Sequence, residues 1–358
     1  MNNYNYLKEI HLEISRRLEQ LDFDLLWKEF KVYSFAIYNN EYICLDGEIL
    51  PYNNKFLGNT TIQYEGQQIA IWNIGMDPVK DLDILTGHLV HEMFHCFQVE
   101  NQESRYANDL ILLMYPNSSK NYSVKFQENQ VLVQAFYEED ITIKQELLES
   151  FYGYRKFRTA IINDNISFEY KVETIEGVAE YIGLKALRQL SLEKYNNEIE
   201  KVIAHLKKEE EVLDIRRISY YVGVIYFIVL EKLNIDIDRY KLNEKKTIFE
   251  LFYKDVSIPN NINSFDSSNF KSMMDKETDK KRRIIEKFNT SQEIKLDGYK
   301  IIGYDPMNMF RLEDYIYCSH LVFLGKNDDH KMLQKELLLL MKKNSINEVI
   351  SYKVLDDK

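Results

Sequence analysis

Cysteine is scarce in this chain, and the shortage limits the sites that it can form. Cys44, Cys96 and Cys318 are spread over 358 residues, and no Cys-x-x-Cys pair occurs. Disulfide-stabilised secreted domains and thiolate zinc sites both need closely spaced cysteines. The spacing therefore argues against both and favours a protein of a reducing compartment.

Long hydrophobic runs are missing as well. The longest, VGVIYFIVL at 222–230, is too short to cross a bilayer. The first twenty residues, MNNYNYLKEIHLEISRRLEQ, lack the apolar core of a signal peptide and have the pattern of an amphipathic helix. We therefore expect a soluble, cytoplasmic protein with no membrane partner.

The chain also lacks an excess of positive charge. Its formal net charge is −11, which argues against a general nucleic-acid binder or a binder of anionic membranes, since both need a basic surface. Five prolines and 12 glycines are few for this length, and they favour a helix-rich fold with limited loop. The chain is long enough for two domains, or for one large domain with an appendage.

Hydrophobic periodicity predicts an α+β fold. Over 31–75, short segments rich in β-branched and aromatic residues alternate with the turn signals NN, DG and EG, which predicts a small, mostly antiparallel sheet. Helical patterns follow at 79–100, 124–162, 166–190, 194–212 and 214–233.

The last hundred residues have a different pattern. A polar, broken stretch precedes the charged segment KETDKKRRIIEKF, and β-like segments follow, with LLLLMKK readable as strand or helix. We predict a large domain over 1–265, a linker with a charged helix over 266–290, and a small β-rich module over 291–358.

The segment HEMFH, within the helix predicted at 79–100, is the strongest chemical signal. It places His91 and His95 four residues apart, on one face of a helix, where both imidazoles can bind one Zn²⁺. Glu92 lies beside them and can reach a water on the metal. Zn²⁺ lowers the pKa of such a water to about 7, and a carboxylate can move its proton to a leaving amine.

Apolar neighbours predict that this helix is buried. Two unliganded buried histidines beside a buried glutamate would be costly unless a metal or hydrogen-bond partners satisfied them. His88, one turn earlier, can touch substrate or form a hydrogen bond in the core, and we favour the core. Gln98 also has two alternatives: it can orient a residue of the site, or it can be a core residue.

A catalytic zinc usually has a third protein ligand, and no further histidine follows His95 closely. The stretch ETIEGVAEYIGLKAL at 173–187 offers Glu173, Glu176 and Glu180 on one helical stripe. Like charges at this spacing destabilise a helix unless they are solvated or neutralised. Gly177 and Gly183 lower helix propensity and make sense if another helix or the metal site comes close.

HEMFH followed by the distant EGVAEY resembles the gluzincin-type zinc metallopeptidases, which are zincin-like HExxH enzymes. The large zinc aminopeptidases have a similar Asn-Glu-Gly-Phe-Ala element. The resemblance implies that the zinc ligands are His91, His95 and Glu176, and that Glu180 orients a ligand histidine. It covers about 15 residues. The long gap between His95 and Glu176, and Glu in place of the commoner Asp at 180, leave the subfamily unassigned. Glu173 remains a rival ligand.

The resemblance also implies a residue that stabilises negative charge on the reacting carbonyl. Tyr220 and Tyr221 are the candidates, with Tyr221 slightly favoured, although either can be an ordinary core or surface tyrosine. Arg216 and Arg217 can bind a substrate carboxylate, but a solvated charge pair is the simpler interpretation. QQIAIWNIG stands where zincins have an edge strand that aligns the substrate. Its alternative is a core strand.

We therefore expect a zincin-like domain over 1–265 that binds Zn²⁺ and hydrolyses peptide bonds in a peptide or protein substrate, with Glu92 as general base and acid. The alternatives are a zinc-bound but non-hydrolytic peptide-binding or regulatory protein, and a helical scaffold without metal. The sequence leaves open the substrate, the choice between aminopeptidase and endopeptidase, the oligomeric state and the role of the C-terminal module.

Overall fold

The computed structural model describes residues 3–75, 79–237, 240–260, 262 and 265–355. Helices account for 52% of the chain and strands for 19%, which confirms the predicted α+β class. The chain divides into two compact units. The first comprises Met1–Tyr106, Lys125–Phe157 and Glu169–Pro259, and the second comprises Ala107–Val124, Arg158–Phe168 and Asn260–Lys358.

A five-stranded sheet lies near the N-terminus of the first unit. Its strands are β1 (Phe35–Tyr38), β2 (Tyr42–Leu45), β3 (Glu48–Pro51), β4 (Thr60–Tyr64) and β5 (Gln67–Asn73), in the order β3-β2-β1-β5-β4. Three neighbouring pairs are antiparallel, and β1 runs parallel to β5. The prediction of a small, mostly antiparallel sheet over 31–75 is therefore confirmed.

Two of the predicted turn signals close tight hairpins in this sheet. Asp46 and Gly47 join β2 to β3, Glu65 and Gly66 join β4 to β5, and all four residues have positive φ. In a two-residue hairpin loop, two successive residues of positive φ form a turn whose twist matches that of the flanking strands. The DG and EG dipeptides thus determine where the chain reverses.

The position of β5 corrects one expectation. QQIAIWNIG forms β5, but β5 lies between β1 and β4 and is not an edge strand. Its central residues Ile69, Ala70 and Ile71 are buried, so the alternative of a core strand holds. The edge strand beside β5 is β4, whose residues are mostly half-exposed.

The other elements that the structure describes in the N-terminal 260 residues are helical. They are α1 (Asn3–Leu18), α2 (Phe23–Leu26), α3 (Leu82–Glu100), α4 (Asp109–Leu112), α5 (Ser119–Tyr137), α6 (Ile141–Ile162), α7 (Ile166–Val172), a π-helical turn (Glu173–Gly177), α8 (Val178–Leu190), α9 (Leu192–Leu206), α10 (Ile215–Lys232) and α11 (Ile248–Phe252), with short 3₁₀ turns at Asn163–Asn165 and Glu210–Leu213.

The helix predicted over 124–162 is two helices, α5 and α6, so that prediction is wrong. The break falls at 138–140, where the Asp140 side chain accepts hydrogen bonds from the backbone N–H groups of Thr142 and Ile143. This arrangement satisfies amide groups at the start of α6 that have no partner within the helix, and it therefore starts a new helix.

Helix α3 is held between the sheet and another helix. Asp81 caps its N-terminus by accepting from the N–H groups of Asp83 and Ile84. The helix packs against β4 and β5 on the sheet and against α8. Most of its residues are buried, as the apolar pattern predicts.

Close helix contacts explain Gly177 and Gly183. A Cβ atom on Gly183 would lie 2.7 Å from the Gly87 carbonyl oxygen on α3, and one on Gly177 would lie 2.7 Å from the Gly223 Cα on α10. Such distances are too short for any side chain. The expectation that another helix approaches these glycines is confirmed, and α3, α8 and α10 can pack closely only because glycine stands at both crossings.

The second unit contains a seven-stranded antiparallel sheet in the order β10-β9-β6-β12-β11-β8-β7. Its strands, preceded by α12 (Ser268–Glu286), are β6 (Glu293–Tyr304), β7 (Met309–Leu312), β8 (Tyr315–Cys318), β9 (Val322–Lys326), β10 (Asp329–Leu333), β11 (Leu337–Met341) and β12 (Glu348–Val354), with a 3₁₀ turn at Pro306–Asn308. The LLLLM part of LLLLMKK is therefore a strand, β11. Among the described residues, no helix has the length and apolar character that crossing a membrane requires.

Candidate metal centre

The two histidines of α3 lie against each other, as the spacing of HEMFH predicts. Their Nε2 atoms are 3.0 Å apart, and the rings meet at an interplanar angle of 77°. His91 is buried and His95 is half-buried. Two imidazole nitrogens therefore point to one place on the surface of α3.

Glu176 completes a triangle of donor atoms. Its Oε2 lies 3.2 Å from His95 Nε2 and 3.8 Å from His91 Nε2. A tetrahedral Zn²⁺ with bonds of 2.0–2.1 Å separates its ligand atoms by about 3.3 Å. The three observed separations bracket this value, so the donor set and its spacing fit a zinc ion.

Each imidazole is held by its other ring nitrogen. His91 Nδ1 lies 2.9 Å from Glu180 Oε2, and His95 Nδ1 lies 2.7 Å from Gln98 Oε1. The Gln98 side chain also donates to the Ile175 carbonyl oxygen at 3.1 Å. These acceptors favour a proton on each Nδ1 and leave each Nε2 lone pair free for a metal.

Glu92 is buried at the same place. One of its carboxylate oxygens and the two histidine nitrogens all lie within 4.8 Å of one another. Burial raises the pKa of Glu92 above its ordinary value, although the neighbouring His91 and His95 act in the opposite direction. The carboxyl group can therefore accept and release a proton beside the three donor atoms.

The second oxygen of Glu176 has its own partner. Arg216 on α10 places Nη2 3.2 Å from Glu176 Oε1 and 3.2 Å from the Tyr220 hydroxyl. Burial by itself raises the pKa of Glu176, but His95, His91 and Arg216 outweigh burial and hold that pKa well below its ordinary value. Glu176 is thus an anion with one oxygen on Arg216 and the other toward the histidines.

The two arginines at 216 and 217 have different environments. Arg216 is 9% exposed, so the interpretation of a solvated charge pair is wrong for it. Arg217 is exposed and lies 3.6 Å from Asp214, which agrees with that interpretation. Sequence reasoning undervalued Arg216, and the available signal was its i, i+4 spacing to Tyr220.

The structure places two predicted site residues in other contacts. Tyr221 stacks on His205 of α9, with ring centroids 4.8 Å apart. Glu173 accepts hydrogen bonds from Arg155 on both carboxylate oxygens. Of the paired candidates, Glu176 lies beside the histidines, and Tyr220 contacts Arg216, which binds Glu176.

His88 stacks on Trp72 of β5. The ring centroids are 5.2 Å apart and the planes differ by 3°. Burial lowers the pKa of His88, so its ring is neutral near pH 7. Both rings are half-buried, so the stacking gives His88 a packing role at the border of the core.

Comparison with known proteins gives no relative for this chain. No protein-family model, no curated protein and no solved structure matches it.

Proposed function

We propose that this protein is a zinc-dependent peptidase of the gluzincin type. The observation that carries the proposal is the convergence of His91 Nε2, His95 Nε2 and Glu176 Oε2, 3.0–3.8 Å apart, beside the buried Glu92. Two imidazoles and one carboxylate form the ligand set of catalytic zinc sites that keep one position open.

Zinc, when bound, would acidify a water molecule and polarise the carbonyl of the scissile bond. Glu92 would take the proton of the attacking water and return it to the nitrogen of the leaving amine. His91 and His95 would hold the metal, with their orientation set by Glu180 and Gln98. Arg216 would keep one oxygen of Glu176 occupied, so that only the other faces the metal.

Tyr220 is the better candidate for the group that stabilises charge on the reacting carbonyl. Its hydroxyl accepts from Arg216, which also binds Glu176, whereas Tyr221 stacks on His205. A tyrosine hydroxyl held beside an arginine is a suitable donor for a developing oxyanion. This assignment departs from the slight preference for Tyr221 drawn from the sequence.

The substrate we propose is a peptide or protein in extended conformation. Among the described residues, no strand pairs with the outer edge of β4. Thr61 on this strand places its hydroxyl 2.9 Å from the sulfur of Cys96, which follows His95. Unpaired backbone groups on an edge strand can align an extended peptide by main-chain hydrogen bonds. The net charge of −11 supports a partner other than nucleic acid, and three free, buried cysteines support a cytoplasmic location.

Two measurements test the proposal. Elemental analysis of the purified protein should give one zinc per chain, and a library of peptides should be cleaved in a reaction that a chelator stops. Zinc without cleavage would identify the non-hydrolytic binding protein instead. Absence of zinc after purification and reconstitution would leave only the metal-free scaffold.

A further inference from the structure

Five fully buried charged side chains form a cluster beside the metal centre. They are Lys125, Glu128, Arg155, Glu169 and Glu173, each 0% exposed. Lys125 Nζ lies 3.0 Å from both Glu128 and Glu169, and Arg155 Nε lies 2.8 Å from Glu128. The cluster contains two cations and three carboxylates, all within the first unit of the chain.

Arg155 binds Glu173 through a bidentate ion pair. Its Nη1 donates to Glu173 Oε2 at 2.6 Å, and its Nη2 donates to Glu173 Oε1. A planar guanidinium that binds both oxygens of a carboxylate fixes orientation as well as distance. Glu173 is the first residue of the π-helical turn, and Glu176 lies three residues later in the same turn.

The π-helical turn separates these two glutamates. In an uninterrupted α-helix, residues three apart share a face. The wider turn directs Glu173 to Arg155 and Glu176 to His95 and Arg216. π-helical turns occur frequently at functional sites, and they persist where their surroundings hold them.

Other contacts fix the same turn. The Thr174 hydroxyl accepts from the Ile248 N–H at 3.0 Å, and the Ile175 carbonyl accepts from Gln98, which also holds His95. Gly177 is packed against Gly223. Because every residue of the turn is tied to a neighbour, a movement at Glu173 would be transmitted to Glu176 and to Gln98.

We propose that Arg155 is a positioning residue of the metal centre. By fixing Glu173 it holds the π-helical turn in the geometry that presents Glu176 to His91 and His95. The inference rests on the proposed function of this site as a zinc centre. A buried charge network of this kind contributes little net stability compared with apolar residues of the same volume. A geometric role at the adjacent site accounts for its presence.

Three variants test the role of Arg155. Arg155→Lys keeps the positive charge but loses the guanidinium that binds both oxygens of Glu173. Glu173→Gln keeps the shape of the side chain and removes one of the three carboxylates of the cluster. The double variant Arg155→Met with Glu173→Gln removes the ion pair between the two residues. The matched control is Arg158→Lys, on the same helix α6. Arg158 is also 0% exposed, and it donates to Asn121 and Tyr115.

Zinc affinity is measured by competition with a chromophoric chelator, and the visible spectrum of the Co²⁺-substituted protein reports the ligand geometry. Arg155→Lys and Glu173→Gln should bind zinc about 10- to 100-fold more weakly and change the Co²⁺ spectrum. Arg158→Lys should match the wild type within about twofold, a difference too small to indicate a lost interaction with the ligands. Circular dichroism of the metal-free proteins checks that each variant is folded.

Folded Arg155 and Glu173 variants with wild-type zinc affinity and spectrum would overturn the inference and leave the zinc centre standing. Failure of all three variants to fold, with Arg158→Lys folded, would overturn it too, because the cluster would then serve folding alone. A wild-type protein that binds no zinc would instead refute the proposed function.

Discussion

His91 Nδ1 lies 2.9 Å from the carboxylate of Glu180, a residue 89 positions later in the chain. The contact joins α3 to α8 and fixes which nitrogen of His91 faces Glu176 and His95. A carboxylate on the far side of a ligand histidine sets its tautomer and raises its strength as a ligand. Because of this contact, the proposed chemistry depends on how α3 packs against α8.

Removing that carboxylate should weaken metal binding without removing a ligand. Glu180→Ala is expected to lower zinc affinity about 10- to 100-fold, because His91 loses the partner that orients its ring. Glu180→Gln, which retains an acceptor, should lose less. Competition with a chelator measures both. Equal affinity in Glu180→Ala and the wild type would show that the contact has no role in the site.

Glu92→Gln should retain zinc and lose turnover. The amide keeps the size of the side chain but cannot take a proton from water, so kcat should fall about 10²- to 10⁴-fold. Steady-state cleavage of a peptide found in the library screen measures the loss, and elemental analysis confirms that the metal is retained. Full activity in this variant would rule out Glu92 as the base.

Glu176→Ala should lose the metal, because it removes one of the three proposed ligand atoms and leaves Arg216 without this partner. The expected result is less than stoichiometric zinc after dialysis. Glu146→Ala, an exposed glutamate on α6, is the control and should retain full zinc. Full zinc occupancy in Glu176→Ala would move the third ligand to another residue.

Tyr220→Phe and Tyr221→Phe form a matched pair on α10. Loss of a preorganised donor to the oxyanion costs about 10²- to 10³-fold in kcat, and Tyr220 contacts Arg216 at the site. We expect that loss in Tyr220→Phe and near wild-type kcat in Tyr221→Phe, whose ring can still stack on His205. The reverse result would restore the sequence-based preference for Tyr221.

Gly183→Ala should destabilise the protein, although alanine is the better helix former by about 1 kcal/mol. The added Cβ would lie 2.7 Å from the Gly87 carbonyl oxygen, so α3 and α8 would have to separate. Overpacking of this kind costs about 1–3 kcal/mol. Urea denaturation of the metal-free protein measures the free energy of unfolding, and an increase in it would show that the helices accommodate the methyl group.

Much of the fold could be predicted from local pattern. The hairpins at Asp46-Gly47 and Glu65-Gly66, the apolar face of α3 and the polar break before α12 all depend on neighbouring residues. The division of 124–162 into two helices was missed because the cap at Asp140 is a weak signal inside a strongly helical pattern. The non-edge position of β5 depends on pairing between distant strands, which periodicity does not contain.

The sequence by itself determined that His91 and His95 share one face of a helix with Glu92 beside them, because the α-helical period dictates it. It also placed Glu173, Glu176 and Glu180 on one stripe, and the resemblance implied that Glu176 is a ligand and that Glu180 orients a histidine. The tertiary structure shows the physical reason why their directions differ. The π-helical turn directs Glu173 to Arg155 and Glu176 to the histidines, and helix packing places Glu180 on His91. Contacts between residues far apart in the chain decide these directions, so helical periodicity by itself could not have predicted them.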